Sequence, residues 1–269
     1  MYPVIVFYGP SLEGYIPIPG DPRIRFFGQA FGSLGFFFGL NKLLQKNSMV
    51  ISNLLLSILC LSVIFLMGFR TMSVLIVFFA YLLIIRVKGL NWNFFWYGLL
   101  CFIVVILILQ MPVFNKIIQN MVLRNRTETL SNSEYARVLQ FEYFTKHHFK
   151  SFLEFIFGSG YPHPKQFCAY SQYMYELSNN SNINWVDLGL LSLSWVIGIP
   201  AVLIMIAYSI KAFLLKVPPA YYYLGMWFIY LVAVSFTTAE FFREGNFVVQ
   251  AFALYLVEKV YSDRMQKTI

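Results

Sequence analysis

The stretch NSMVISNLLLSILCLSVIFLMGF, residues 47–69, holds no charged side chain and is bounded by Lys46 and Arg70. In an α-helix, roughly 20 apolar residues cross the ~30 Å hydrocarbon core of a bilayer. A soluble helix of this length would keep one polar stripe for water, and this one has none wide enough. The segment therefore predicts a membrane span. Gly89–Asn115, Leu188–Ile210 and Val217–Ala239 are charge-free in the same way. Phe26–Asn41, Thr71–Ile85 and Gly245–Leu256 are shorter, but each has Arg or Lys near an end (Arg25 and Lys42, Arg70 and Arg86, Lys259). Long basic side chains there reach the interface and extend the effective span. The expected fold is an all-α polytopic membrane protein of about seven transmembrane helices.

Composition agrees. Of 269 residues, 59% are hydrophobic and 12% charged, against about 25% charged in an ordinary soluble domain. Twenty-nine Phe and eighteen Tyr would leave large adhesive patches on a water-soluble body. The net charge of +8 does not predict a nucleic-acid partner, because Lys and Arg stand singly or in pairs between apolar runs. Cys60, Cys101 and Cys168 have no metal-like spacing, and the first two sit inside apolar runs as small core residues.

Loop charge sets the orientation. Alternate connections carry Lys42 with Lys46, Arg86 with Lys88, Lys211 with Lys216, and a tail with Lys259, Arg264 and Lys267. The positive-inside rule assigns these to the cytoplasm. The N-terminus is then outside and the C-terminus inside. The expected layout is a single membrane domain: an outer segment 1–25, four spans in 26–111, an outer loop 112–187, three spans in 188–261 and a cytoplasmic tail 262–269. Residues 1–25 have no basic n-region and no long apolar core, so they do not read as a signal peptide. They read as the end of an earlier span and a Pro/Gly-rich loop, and the chain is expected to lack upstream helices.

The outer loop contains an expected amphipathic helix. Ser131 and Glu134 have capping-box spacing, and Val138, Phe141, Phe144, His148, Phe152 and Phe155 recur on one helical face. Glu142, Lys146, Lys150 and Glu154 form the opposite face. Gly158-Ser159-Gly160 ends the helix. Arg137 projects from the apolar side, where a guanidinium needs an anion. That anion is either a partner such as Glu134 or lipid phosphate, or a bound ligand. Arg70, in an outer turn, can serve as an interfacial anchor, and Asp187 opens a span where a carboxylate caps the helix dipole without excluding catalysis. His147, His148 and His163 read as polar surface side chains and not as a metal site. Gly28, Gly32, Gly35 and Gly39 give the small-xxx-small spacing of close helix packing. No phosphate-binding loop or nucleophile elbow is present.

These motifs occur in a particular order. Arg25-x-x-Gly28 comes first, then Phe-Arg-Thr at Arg70, then SNSEYAR ending at Arg137, then IFGSGY with Gly158 and Gly160, and then DLGLLSLSWVIGIP from Asp187. In order, spacing and sidedness the chain resembles the bacterial O-antigen polymerase and ligase superfamily (Wzy-type polysaccharide polymerases) over about residues 23–260. The resemblance implies a membrane-embedded, metal-independent glycosyltransferase without cofactor, in the bacterial inner (cytoplasmic) membrane, making O-antigen, capsule or exopolysaccharide. Its partners would be a polyprenyl-pyrophosphate-linked glycan donor, an acceptor glycan, the bilayer, and a chain-length regulator or flippase, with no nucleic acid. It implies that Arg70 and Arg137 hold the pyrophosphate, with weaker help from Arg25 and Arg243. Asp187 would be the catalytic base, and Gly158 and Gly160 would shape the loop. The ligase branch has a catalytic His where this chain has Asp187, which favours the polymerase branch, and an N-terminally truncated member would be inactive. A polyprenol-glycan flippase or small-molecule carrier is the alternative. The first would show a basic lining over many spans, and the second repeated or broken helices.

Overall fold

The structure is a computed structural model that describes residues 6–7, 24–25, 29–45, 49–66, 70–89, 96, 98, 141, 144–149, 151–160, 188–238, 240–242 and 245–266. They belong to two compact units. Unit 1 is drawn from residues 1–123, 211–230 and 244–269, and unit 2 from residues 124–210 and 231–243.

Unit 1 opens with a two-residue antiparallel pair, β1 (Val6–Phe7) against β2 (Ile24–Arg25), in which Val6 faces Arg25. Helices α1 (Gln29–Leu44), α2 (Val50–Leu66) and α3 (Arg70–Lys88) follow. Glycine in α1 lets α2 come close. A Cβ on Gly39 would meet the Ser57 hydroxyl and lie 2.9 Å from the Asn53 carbonyl oxygen, and one on Gly35 would lie 2.9 Å from Cys60 Sγ. The packing expected from small-xxx-small spacing is therefore present at Gly35 and Gly39, while Gly28 lies outside the described residues. On the other face of α2, Ile51 is 75% and Leu59 64% exposed.

The core of unit 1 is aromatic. Phe37 and Phe79 meet Tyr230 edge-on at 5.5 and 6.1 Å. Tyr230 lies in the helix Tyr222–Ser235, whose Leu224, Trp227 and Phe228 are fully buried. The one polar atom of Trp227 is satisfied, since Nε1 donates to Ser33 Oγ at 2.8 Å and Ser33 donates to the Ala30 carbonyl. Asn246–Gln266 closes the unit, burying Val249, Ala253 and Val257 and leaving Phe252 and Tyr255 outside.

In unit 2, a π-helical turn at Phe144–His148 precedes α4 (Phe152–Phe157), and α5 (Leu190–Ile197) runs into α6 (Ile199–Leu214) across a break at Gly198. Helix α6 and the helix Tyr222–Ser235, here α7, each pass from one unit into the other along the chain. The last helix, Asn246–Gln266, is α8.

The chain is mostly helical, as composition and periodicity predict. Among the described residues one helix, Thr71–Lys88, is long and apolar enough to cross a membrane. Ala30–Leu44, Val50–Phe65 and Ile199–Leu214 are apolar but shorter. Two expectations need correcting. Leu188–Ile210 is not one helix: Gly198 has φ +90° and Pro200 supplies no N–H, so the ladder stops and restarts. The outer helix is not continuous either. Ser151 is extended (φ −142°, ψ 158°) and its side chain accepts from the Glu154 amide, which starts a new helix out of phase with the first. Phase explains the result: Phe144 and His148 are buried, whereas Phe152 is 75% exposed. Ser131, Glu134 and the span Gly89–Asn115 fall on residues outside the description, save Gly89, Trp96 and Gly98.

Candidate functional site

The glycine turn 158–160 and the break in the following helix are built against each other. A continuous helix would use the Trp195 carbonyl to bind the amide of residue 199, and the Val196 carbonyl to bind that of residue 200. Residue 200 is proline, and Gly198 turns the chain away, so both oxygens lose their helical donors. The glycine turn supplies replacements. Ser159 N donates to Trp195 O at 2.8 Å and Gly160 N to Val196 O at 3.0 Å. Gly158 caps α4 with φ +81°, its own amide bonding Glu154 O at 2.8 Å. A Cβ on Gly158 would lie 2.5 Å from Val196 O, so only glycine fits both the dihedral and the space.

His148 braces this junction. Its Nε2 lies 2.8 Å from Ser159 Oγ, and Ser159 Oγ donates to Trp195 O at 3.2 Å. A hydroxyl has one hydrogen to give, so the donor in the His148–Ser159 bond is set by the ring tautomer: Nε2 donates when Ser159 gives its hydrogen to Trp195 O. Phe144 stacks on Trp195 at 4.6 Å and meets the His148 ring at 4.9 Å, which encloses the imidazole. Burial pushes the His148 pKa down to about 4, against the opposing pull of Glu154, so the ring is neutral at ordinary pH. The neutral ring, tied through Ser159 to Trp195, positions the turn.

The surface role expected for the histidines is therefore wrong for His148, which is fully buried. Its place in the apolar series Phe141–Phe144–His148 was the sequence signal for this, and the two-residue separation of Gly158 from Gly160 marked the turn that it holds. Of the other expected site residues, Gly158 and Gly160 are brought onto α5 as described. Arg25 and Arg70 are described through their backbones alone, in β2 and at the start of α3. Arg137, Asp187 and Arg243 lie outside the described residues. The description resumes at Leu188, followed by Gly189 (φ +62°), whose Cβ position would lie 2.5 Å from the Ser235 carbonyl oxygen. The start of α5 is thus packed against the end of α7 within unit 2. Comparison of the chain with known protein families, curated proteins and solved structures gives no match.

Proposed function

We propose that the chain is a membrane-embedded glycosyltransferase of about seven spans that polymerises oligosaccharide repeats carried on polyprenyl pyrophosphate. The acceptor hydroxyl oxygen attacks the anomeric carbon of the donor glycan. The bond from that carbon to pyrophosphate oxygen breaks, polyprenyl pyrophosphate leaves, and the hydroxyl proton passes to Asp187. Arg70 and Arg137 hold the pyrophosphate as its charge grows, with Arg25 and Arg243 as weaker contacts.

One observation carries most of the support. The IFGSGY and DLGLLSLSWVIGIP motifs, on which the resemblance rests, are hydrogen-bonded to each other through Ser159, Gly160, Trp195 and Val196. The bilayer setting is supported by the exposed apolar faces of α2 and α3, where Ile51, Leu59 and Val74 would be costly in water.

The test is the polysaccharide length ladder of a polymerase-null strain expressing the full-length protein, with membrane levels checked by blotting. Arg137→Lys and Asp187→Asn should each shorten or abolish the ladder at normal protein levels, because lysine lacks the bidentate fork and asparagine cannot take the proton. Wild-type ladders from both would overturn the proposed chemistry. Impermeant thiol labelling at Ser133→Cys but not at Ser262→Cys in intact cells is expected from the proposed orientation.

The break at Gly198 favours a second reading, a polyprenol-glycan flippase or carrier, since discontinuous helices line many transport sites. In such proteins the freed carbonyls face substrate or ions. Here Trp195 O and Val196 O are occupied by Ser159 and Gly160, which ranks transport below transfer. Lipid-linked glycan crossing vesicle membranes that contain only this protein would reverse the order.

A further inference from the structure

Arg86, on the last turn of α3, lies between two aromatic rings, 4.3 Å from the Phe213 centroid and 4.7 Å from that of Tyr222. Its Nη2 donates to the Phe213 carbonyl at 2.7 Å, while the buried Nη1 has no partner, and no described carboxylate pairs with the guanidinium. Asn41 meets the same turn from α1, its Nδ2 donating to the carbonyls of Pro219 (3.2 Å) and Ala220 (2.9 Å), with its buried Oδ1 left unpartnered. Gln45, one helical turn further along α1, has an unpartnered buried Nε2. All of these lie in unit 1, and both Arg86 and Asn41 bond or touch the segment 213–222 that leads into α7. Lys42, Lys88, Lys211 and Lys216 are neighbours in sequence. Lys211 is paired, with Glu258 at 3.3 Å, and Arg264 donates to the Lys216 carbonyl.

A half-buried guanidinium with no counter-charge among the described residues, together with an open donor on Gln45 and an open acceptor on Asn41, is an incomplete set of bonds. The missing partner needs a negative oxygen for Arg86 and Gln45 and a hydrogen to donate to Asn41. It must also reach the end of a helix long enough to cross a membrane. We infer that this end of unit 1 binds the headgroup of an anionic phospholipid, a phosphodiester whose head carries a free hydroxyl. The phosphate meets Arg86 Nη1 and Gln45 Nε2, and the headgroup hydroxyl donates to Asn41 Oδ1. The two rings hold the guanidinium in place, and the phosphate meets it at the open Nη1, with the surrounding side chains giving way to admit it. This rests on the membrane setting proposed above but not on the glycosyltransferase chemistry.

The test uses the full chain, first shown to stay in membranes through an alkaline carbonate wash. Release by that wash would sink the membrane setting itself. The protein is then placed in phosphatidylcholine bilayers with or without phosphatidylglycerol, and its unfolding temperature is measured. Phosphatidylglycerol should raise it by roughly 3–8 °C in the wild type and in Lys259→Gln, an exposed cation elsewhere on α8. Arg86→Gln should lose the rise. Phosphatidic acid, which has the phosphate without the headgroup hydroxyl, should give a smaller rise. Should Arg86→Gln fail to fold, native mass spectrometry of the wild type decides instead, with retention of phosphatidylglycerol in preference to phosphatidylcholine expected. An equal rise in Arg86→Gln, no preference for phosphatidylglycerol, or the same rise from inorganic phosphate alone would each overturn the assignment.

Discussion

Gly158 and Gly198 occupy the space that side chains on each other's segments would need: a Cβ on Gly158 would lie 2.6 Å from Gly198 N, and one on Gly198 would lie 2.7 Å from the Phe157 carbonyl carbon. Both glycines have positive φ, +81° and +90°. Strain and overpacking therefore act together at these two positions, and Gly158→Ala or Gly198→Ala should each cost about 2–4 kcal/mol. Gly160 has φ +91° but open space around its Cβ position, so Gly160→Ala should cost only about 1–2 kcal/mol. Unfolding midpoints in detergent give the ranking, and equal losses at positions 160 and 198 would contradict it.

Acid should loosen the same junction. The folded His148 pKa, about 4, lies below its ordinary value of 6.5, so the neutral form is the one that folding favours. The stabilisation is complete above pH 6.5 and fades as pH falls toward about 4, for a loss on the order of 3 kcal/mol. His148→Gln keeps an N–H for Ser159 but does not titrate. Melting temperatures of wild type and His148→Gln should diverge between pH 6.5 and 4, and parallel curves would refute this.

Glycine in α1 predicts a different ordering. Gly39→Ala forces its methyl group onto the Asn53 carbonyl and Ser57 of α2, whereas Gly32→Ala meets only Val63 at an ordinary 3.9 Å. Gly39→Ala should destabilise by about 1–3 kcal/mol. Gly32→Ala should be neutral or slightly stabilising, because alanine is the better helix former by about 1 kcal/mol. Protease resistance of the two variants in membranes would show the difference.

Buried and surface hydroxyls should also differ. Ser33→Ala strips the indole N–H of Trp227 of its acceptor inside the core and should cost about 1–3 kcal/mol. Ser62 bonds only the Ile58 carbonyl on its own helix, near the surface, so Ser62→Ala should fall within about 0.5 kcal/mol of wild type. Tryptophan fluorescence during unfolding reports both changes.

Helix content, the places of α1, α2 and α3 to within three residues at each end, and the terminating role of Gly158 were legible in the sequence because each rests on local chemistry: apolar length, flanking cations and a residue tolerant of positive φ. The split of Leu188–Ile210 was missed, because an unbroken apolar run conceals Gly198 and Pro200 when hydropathy alone is read. His148 was misjudged because its partner Ser159 and its cover, Trp195, lie on different segments that only tertiary packing joins. The convergence of Asn41, Arg86 and Tyr222 was invisible for the same reason. Each residue alone looks like an ordinary helix end, and three separate segments must meet before an uncompensated charge can be recognised.

The dependence of Ser159 and Gly160 on Trp195 and Val196 also orders events during synthesis. A ribosome releases the glycine turn well before the helix that anchors it, so the turn must wait, unclamped, until the chain has passed Pro200. Nascent chains arrested before residue 195 should leave the Gly160 amide open to hydrogen exchange, and chains arrested well beyond 200 should protect it. The glycine turn is thus finished from behind, by a segment made after it.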